Sequence, residues 1–118
     1  HDVSEIYDVD REIILSVIHT ESRCSKEAIG AIGEQGLMQI TPKWHSKRAQ
    51  GLGVNDLLEP YSNILVGTDL LSELDVNNNP HRALSIYNGG YIKSEKSEQY
   101  AREVVQKSLV YKSMLVEP

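Results

Sequence analysis

Ile13, Ile14, Val17, Ile18 and Glu21 fall at i, i+1, i+4, i+5 and i+8, a spacing that a helix turns into a single face. The face is apolar until its last member, a carboxylate. A glutamate beside an apolar stripe is partly desolvated, which disfavours its charged form and raises its pKa toward the range where a proton can be donated near neutral pH. Glu21 is therefore a candidate general acid, against the plainer reading of a solvated acid at a helix end. Asp8, Asp10 and Glu12 precede the stripe and suit the N-terminus of a helix over about Arg11 to Arg23.

The segment that follows cannot continue the helix. Gly30, Gly33 and Gly36 interrupt it, and a structured loop with short turns is expected instead. Leu37-Met38-Gln39-Ile40 should pack on the first helix, with amide side chains forming a polar wall facing Glu21. Thr41 and Pro42 read as N-cap and first residue of a helix ending near Gln50-Gly51. Ile64, Leu65, Gly67, Thr68, Leu71 and Leu74 carry a helical period from Ser62 to about Val76, Gly67 permitting close helix packing. Asn77-Asn78-Asn79-Pro80 breaks the chain, Pro80 to Tyr87 forms a further helix stopped by Asn88-Gly89-Gly90, and Ser97 to Leu115 forms the last. Its core side is expected at Tyr100, Val104, Val105, Leu109, Val110 and Met114. With no strand pattern, the fold reads as mainly α, one domain over residues 1–118 with little or no β structure.

At 118 residues the chain suffices for a single modest core. Apolar residues make up 40% and charged residues 25%, and no apolar run approaches the roughly 20 residues needed to span a bilayer. A net charge of −5 speaks against nucleic-acid binding and leaves substrate recognition to a cleft. Cys24 is the only cysteine, which excludes an internal disulfide. His19, His45 and His81 lack metal-ligand spacing, so no metal or other cofactor is expected. His1 to Glu5 is polar and shows no leader pattern.

Glu21-Ser22, Ala28, Gly33, Gly36-Leu37-Met38-Gln39-Ile40 with Pro42, Asn63-Ile64 with Gly67 and Leu71, and Ala83 with Tyr87-Asn88-Gly89-Gly90 occur in one order. Together they resemble the lytic transglycosylase family with a soluble-lytic-transglycosylase, lysozyme-like catalytic domain, over about Ile13 to Val105. Tyr100 stands where that family has the tyrosine of its final helix. The resemblance implies a lysozyme-like α fold and cleavage of the β-1,4 bond between N-acetylmuramic acid and N-acetylglucosamine in peptidoglycan. It further implies a single catalytic glutamate, here Glu21, with the substrate's N-acetyl group as internal nucleophile and a 1,6-anhydro product.

By the same resemblance Gln39 lines the cleft and contacts the acetamido group, and Tyr87, beside Asn88, holds or polarises the carboxylate. The plainer readings are a satisfied core amide for Gln39 and packing for Tyr87. Ser22 either orients Glu21 or is an ordinary helix-end hydroxyl, and Met38 is core or cleft floor. Trp44 stacks on sugar or packs. Glu27, Glu34, Asp56 and Glu59 each read as loop or surface acids. Three positions depart from the family pattern: Cys24 replaces an aromatic and suggests a shallow apolar anchor, Gly30 replaces serine, and Glu34 replaces alanine. Glu34 is thus the candidate second carboxylate, and with it a hydrolytic muramidase is the close rival. A non-catalytic wall-binding component of a secretion, conjugation or phage assembly is the alternative from another class. The expected partners are peptidoglycan glycan strands and a larger wall-spanning assembly, for a monomeric chain exported to the periplasm or cell wall.

Overall fold

Three prolines each open a helix. Pro42, Pro60 and Pro80 occupy first-turn positions, where the missing N–H leaves no helical hydrogen bond unmade and the fixed φ suits the helix. The computed structural model describes residues 3–115, and among these it contains six helices: α1 (Val3–Tyr7), α2 (Arg11–Ser22), α3 (Pro42–Gly51), α4 (Pro60–Glu73), α5 (Pro80–Gly89) and α6 (Glu95–Leu115). Among the described residues, extended pairing is confined to two isolated bridges, Ile29 with Gln35 and Gln35 with Ile40. The mainly α architecture is that expected from the sequence.

Helix α6 lies against both α5 and α2, and α1 lies against α4. The core runs through Ile13, Ile14, Val17 and Ile18 of α2, Val66 and Leu71 of α4, Ala83 and Leu84 of α5 and Ala101 and Val104 of α6, with Met38 and Ile40 contributed by the loop. The apolar stripe of α2 is thus buried as its spacing requires. Arg23, with φ 51°, ends α2 in the left-handed conformation, its N–H bonded to the His19 carbonyl. Helix α4 begins two residues before Ser62, because the exposed Glu59 caps it by accepting the N–H groups of Tyr61 and Ser62. Helix α6 begins at Glu95, and Ser94 and Ser97 each accept the other's N–H through their hydroxyls, a reciprocal cap.

The structure departs from the sequence reading in several places. Helix α1 was not evident from the polar start, although Val3 and Ser4 are buried. The core side of α6 is Ser97, Tyr100, Ala101, Val104 and Ser108, whereas Leu109, Val110 and Met114 are exposed. The buried stripe continues from Ser108 to the half-buried Tyr111, which meets His19 of α2 edge-on, and Leu109, Val110 and Met114 fall to either side of it. Gly67 admits Met38, since a Cβ there would lie 2.5 Å from the Met38 sulfur; the close approach is to a loop side chain and not between helices. The Asn77 side chain clamps the α1–α2 turn by donating to the Asp8 carbonyl (2.7 Å) and accepting the Asp10 N–H (3.1 Å).

Candidate active site

The loop from Arg23 to Thr41 must turn tightly enough to bring Gln39 beneath the end of α2. Five of its residues have positive φ: Arg23, Cys24, Gly33, Gly36 and Gln39. Gly36 is the tightest of these, because a Cβ there would meet the Asn63 side chain at 2.4 Å and the Leu57 carbonyl at 2.9 Å. Asn63, fully buried on α4, takes the Met38 N–H on Oδ1 and donates to the carbonyls of Gln35 and Leu57, all at 2.7 Å. One amide thereby engages three backbone groups, two of which, the Met38 N–H and the Leu57 carbonyl, rely on it, while the Gln35 carbonyl also accepts the Ile40 N–H at 3.0 Å. The Ser22 hydroxyl is directed to the carbonyls of Ile18 (3.0 Å) and Leu37 (2.8 Å), tying the end of α2 to the same loop.

Above this frame lies a cleft of about 870 Å³, lined among others by Glu21, Glu34, Gln39, Tyr87 and Asn88. Ile32, Trp44, Tyr91 and Ile92 also face it, and all four are largely exposed. Glu21 sits in the last turn of α2 and accepts the Tyr100 hydroxyl on Oε2 at 2.8 Å. Burial raises the Glu21 carboxyl from the usual 4.5 to about 7; the Tyr100 hydrogen bond opposes the rise, and the negative charge of Glu34 adds to it. Burial and the nearby Glu21 carboxylate push the phenols of Tyr87 and Tyr100 well above the usual value, so both remain hydroxyl donors.

The site residues read from the sequence divide into two groups. Glu21, Glu34, Gln39, Tyr87 and Asn88 meet in the cleft. Ser22 and Met38 do not line it. Ser22 spends its hydroxyl on backbone carbonyls, and Met38 is fully buried with its sulfur against Gly67; both belong to the frame under the site. Tyr87 makes no hydrogen bond to the carboxylate, its hydroxyl donating to the Met38 carbonyl at 2.6 Å, but it lies close enough to Glu21 to feel its charge. The hydroxyl on Glu21 comes from Tyr100. The sequence offered one clue to it: a buried tyrosine on the core stripe of a helix needs a partner for its O–H.

Gln39 is no simple core amide. Its Nε2 donates to the carbonyls of Ala28 and Gly36, both at 3.0 Å, while the residue lines the cleft. Trp44 does not pack in the core; it is 66% exposed, with the Lys43 ammonium 5.0 Å from its ring centre. Cys24, with φ 67°, is exposed and does not anchor the loop. Among the described residues no group of three or more His, Cys, Asp or Glu side chains could hold a metal ion, and no helix is long and apolar enough to cross a membrane.

The sequence profile of the family described as Transglycosylase SLT domain matches residues 2–110. The chain belongs to that family. This SLT domain is also 35% identical over 85 residues to a protein named transglycosylase from Enterobacteria phage PRD1, an alignment covering 71% of the chain and 31% of the phage protein. Among solved structures it resembles an inactive glutamate-to-glutamine variant of the lytic transglycosylase Slt from Pseudomonas aeruginosa, with a TM-score of 0.82 at 20% identity. That match covers 96% of the SLT domain and 23% of the Slt chain, so the domain corresponds to a minor part of either relative's length.

Proposed function

We propose that this SLT domain cleaves the β-1,4 bond between N-acetylmuramic acid and N-acetylglucosamine in peptidoglycan, releasing a 1,6-anhydro product, with Glu21 as sole acid and base. The observation that carries the reading is the Glu21 carboxyl, buried at the end of α2 within the cleft, hydrogen-bonded by Tyr100 and raised to about 7. Such a group holds a proton at mildly acidic to neutral pH and can take one back, the requirement for an acid that then acts as base. The names borne by the phage relative and by Slt support the same chemistry, as does the loss of activity in Slt on changing a glutamate to glutamine.

Glu21 donates its proton to the glycosidic oxygen as the bond from that oxygen to C1 breaks, the bonding pair leaving with the oxygen. The carbonyl oxygen of the muramic acid acetamido group attacks C1 and forms a cyclic oxazolinium cation, in the manner of substrate-assisted glycosidases. The C6 hydroxyl then attacks C1, the bond from C1 to the acetamido oxygen breaks, and the hydroxyl proton passes to the Glu21 carboxylate. Water takes no part, and Glu21 ends protonated as it began. The domain spans 31% of the phage relative and 23% of Slt; that it acts as a monomer, at the cell wall and alongside a larger wall-associated assembly, is part of the same proposal.

Digestion of purified peptidoglycan by the wild type and by Glu21→Gln, with products resolved by mass, tests the reaction. The wild type should give anhydromuropeptides and the variant about 10²- to 10⁴-fold less. Because Glu21 must start protonated, kcat/KM of the wild type should fall as pH rises through about 7. Products carrying water in place of the anhydro ring would move the assignment to a hydrolytic muramidase using Glu34. Unchanged turnover in Glu21→Gln would move it to a different acid.

A further inference from the structure

Gly30 and Glu34 share one volume. A Cβ built on Gly30 would lie 2.3 Å from Glu34 Oε1, 2.6 Å from its Cδ and 2.8 Å from Gln39 Oε1. The glutamate carboxyl therefore occupies the space that any side chain at position 30 would claim, and the absence of one there is what admits it to the cleft wall. It is anchored as well, for Glu34 Oε1 accepts the Ile32 N–H at 2.9 Å. Gln39 has its amide orientation set by the two carbonyls that receive Nε2, which leaves Oε1 over Gly30 beside the Glu34 carboxyl. This part of the wall, shared with Glu21 in a single cleft, brings two acceptor oxygens together over Gly30.

We infer that Glu34 is a second functional carboxylate of this site, seated by Gly30, which with Gln39 Oε1 accepts the N–H of the substrate's acetamido group and aims that group's carbonyl oxygen at C1. The assignment rests on the substrate-assisted reaction proposed above. An acceptor on the N–H raises electron density on the carbonyl oxygen, and a fixed negative charge beside it stabilises the oxazolinium cation as it forms. Glu34 neither gains nor loses a proton. The N–H stays on nitrogen throughout, and the proton inventory of the reaction is still carried by Glu21 alone. The same charge favours the protonated state in which Glu21 begins. Tyr100 of α6 is the other titratable group acting on Glu21, and Tyr87 of α5 faces it and feels its charge.

Soluble glycan strands prepared from purified peptidoglycan provide the test, with steady-state rates measured across pH and products weighed by mass. Glu34→Ala should lower kcat by about 10²-fold, as removal of one preorganised polar group from a transition-state site does, with KM little changed. Its alkaline limb should shift to lower pH, because Glu21 loses a neighbouring negative charge. Glu34→Gln keeps volume and an acceptor oxygen but no charge, and should fall between the two. Gly30→Ala should reproduce the Glu34→Ala defect by displacing an intact carboxylate, and the double variant should be no worse than either single, as for two changes that remove one interaction. Helical circular dichroism and thermal melting confirm that each variant is folded.

Wild-type kcat and pH profile in folded Glu34→Ala or Glu34→Gln would overturn this role while leaving the transglycosylase reading intact. A wild type that yields no anhydro product would overturn both. A hydrated product that disappears in Glu34→Ala would overturn it too, and would assign Glu34 to water activation.

Discussion

The floor and the rim of the cleft are built on opposite terms. On the floor nearly every polar group is engaged: Asn63 holds three backbone groups, Ser22 reaches Leu37, Tyr87 reaches the Met38 carbonyl and Tyr100 reaches Glu21. On the rim, Ile32, Trp44, Tyr91 and Ile92 stand 66% to 86% exposed with no packing to hold them. The floor fixes one carboxyl in position; the rim offers apolar surface that a flat sugar face can cover. Floor substitutions should therefore register in stability and in the pH profile, and rim substitutions in substrate affinity alone.

The sharpest way to break this contrast is Asn63→Ala. It strands the Met38 N–H and the Leu57 carbonyl and takes one of two donors from the Gln35 carbonyl, so denaturant unfolding should show a loss of about 3 kcal/mol, with activity falling as the loop loosens. Tyr100→Phe probes the floor more gently. Loss of the hydroxyl should cost about 1 kcal/mol. By removing the hydrogen bond that stabilises the Glu21 carboxylate, it should also move the alkaline limb of kcat/KM to higher pH, the reverse of the shift expected for Glu34→Ala. Tyr87→Phe makes the matched control, since that hydroxyl serves the Met38 carbonyl. On the rim, Trp44→Ala should leave stability within about 0.5 kcal/mol and raise KM by roughly five-fold, equivalent to about 1 kcal/mol of binding. A Trp44 variant that melts early would erase the distinction.

The helical frame was largely legible in the sequence, because period, prolines and glycine stops are local signals that survive folding. The same holds for Glu21, Gln39, Tyr87 and Asn88, which stand in ordered motifs. What escaped was set by distance in space. That Tyr100 and not Tyr87 reaches the carboxyl depends on how α6 crosses α2, 79 residues later in the chain, and no spacing rule encodes it. Ser22 and Met38 sit inside the motifs yet serve the scaffold, because a motif records which residues a geometry needs and not which of them face the cleft. Leu109, Val110 and Met114 offered a core-like period, but the buried stripe runs through Ser108 toward Tyr111 against His19 and leaves all three exposed. Glu34 looked like a surface acid until its carboxyl was found over Gly30.

The bond from the Ser22 hydroxyl to the Leu37 carbonyl joins the chain just before and just after the glycine-rich loop, and the Gly36 N–H to Ala28 carbonyl bond at 2.9 Å closes it a second time further in. The segment Arg23 to Glu27 lies outside that second closure and is exposed throughout. It can therefore lengthen, shorten or carry a grafted peptide while the distance from Glu21 to Gln39 stays set by the neck, which makes it a natural insertion point for altering what the domain docks to without rebuilding its chemistry.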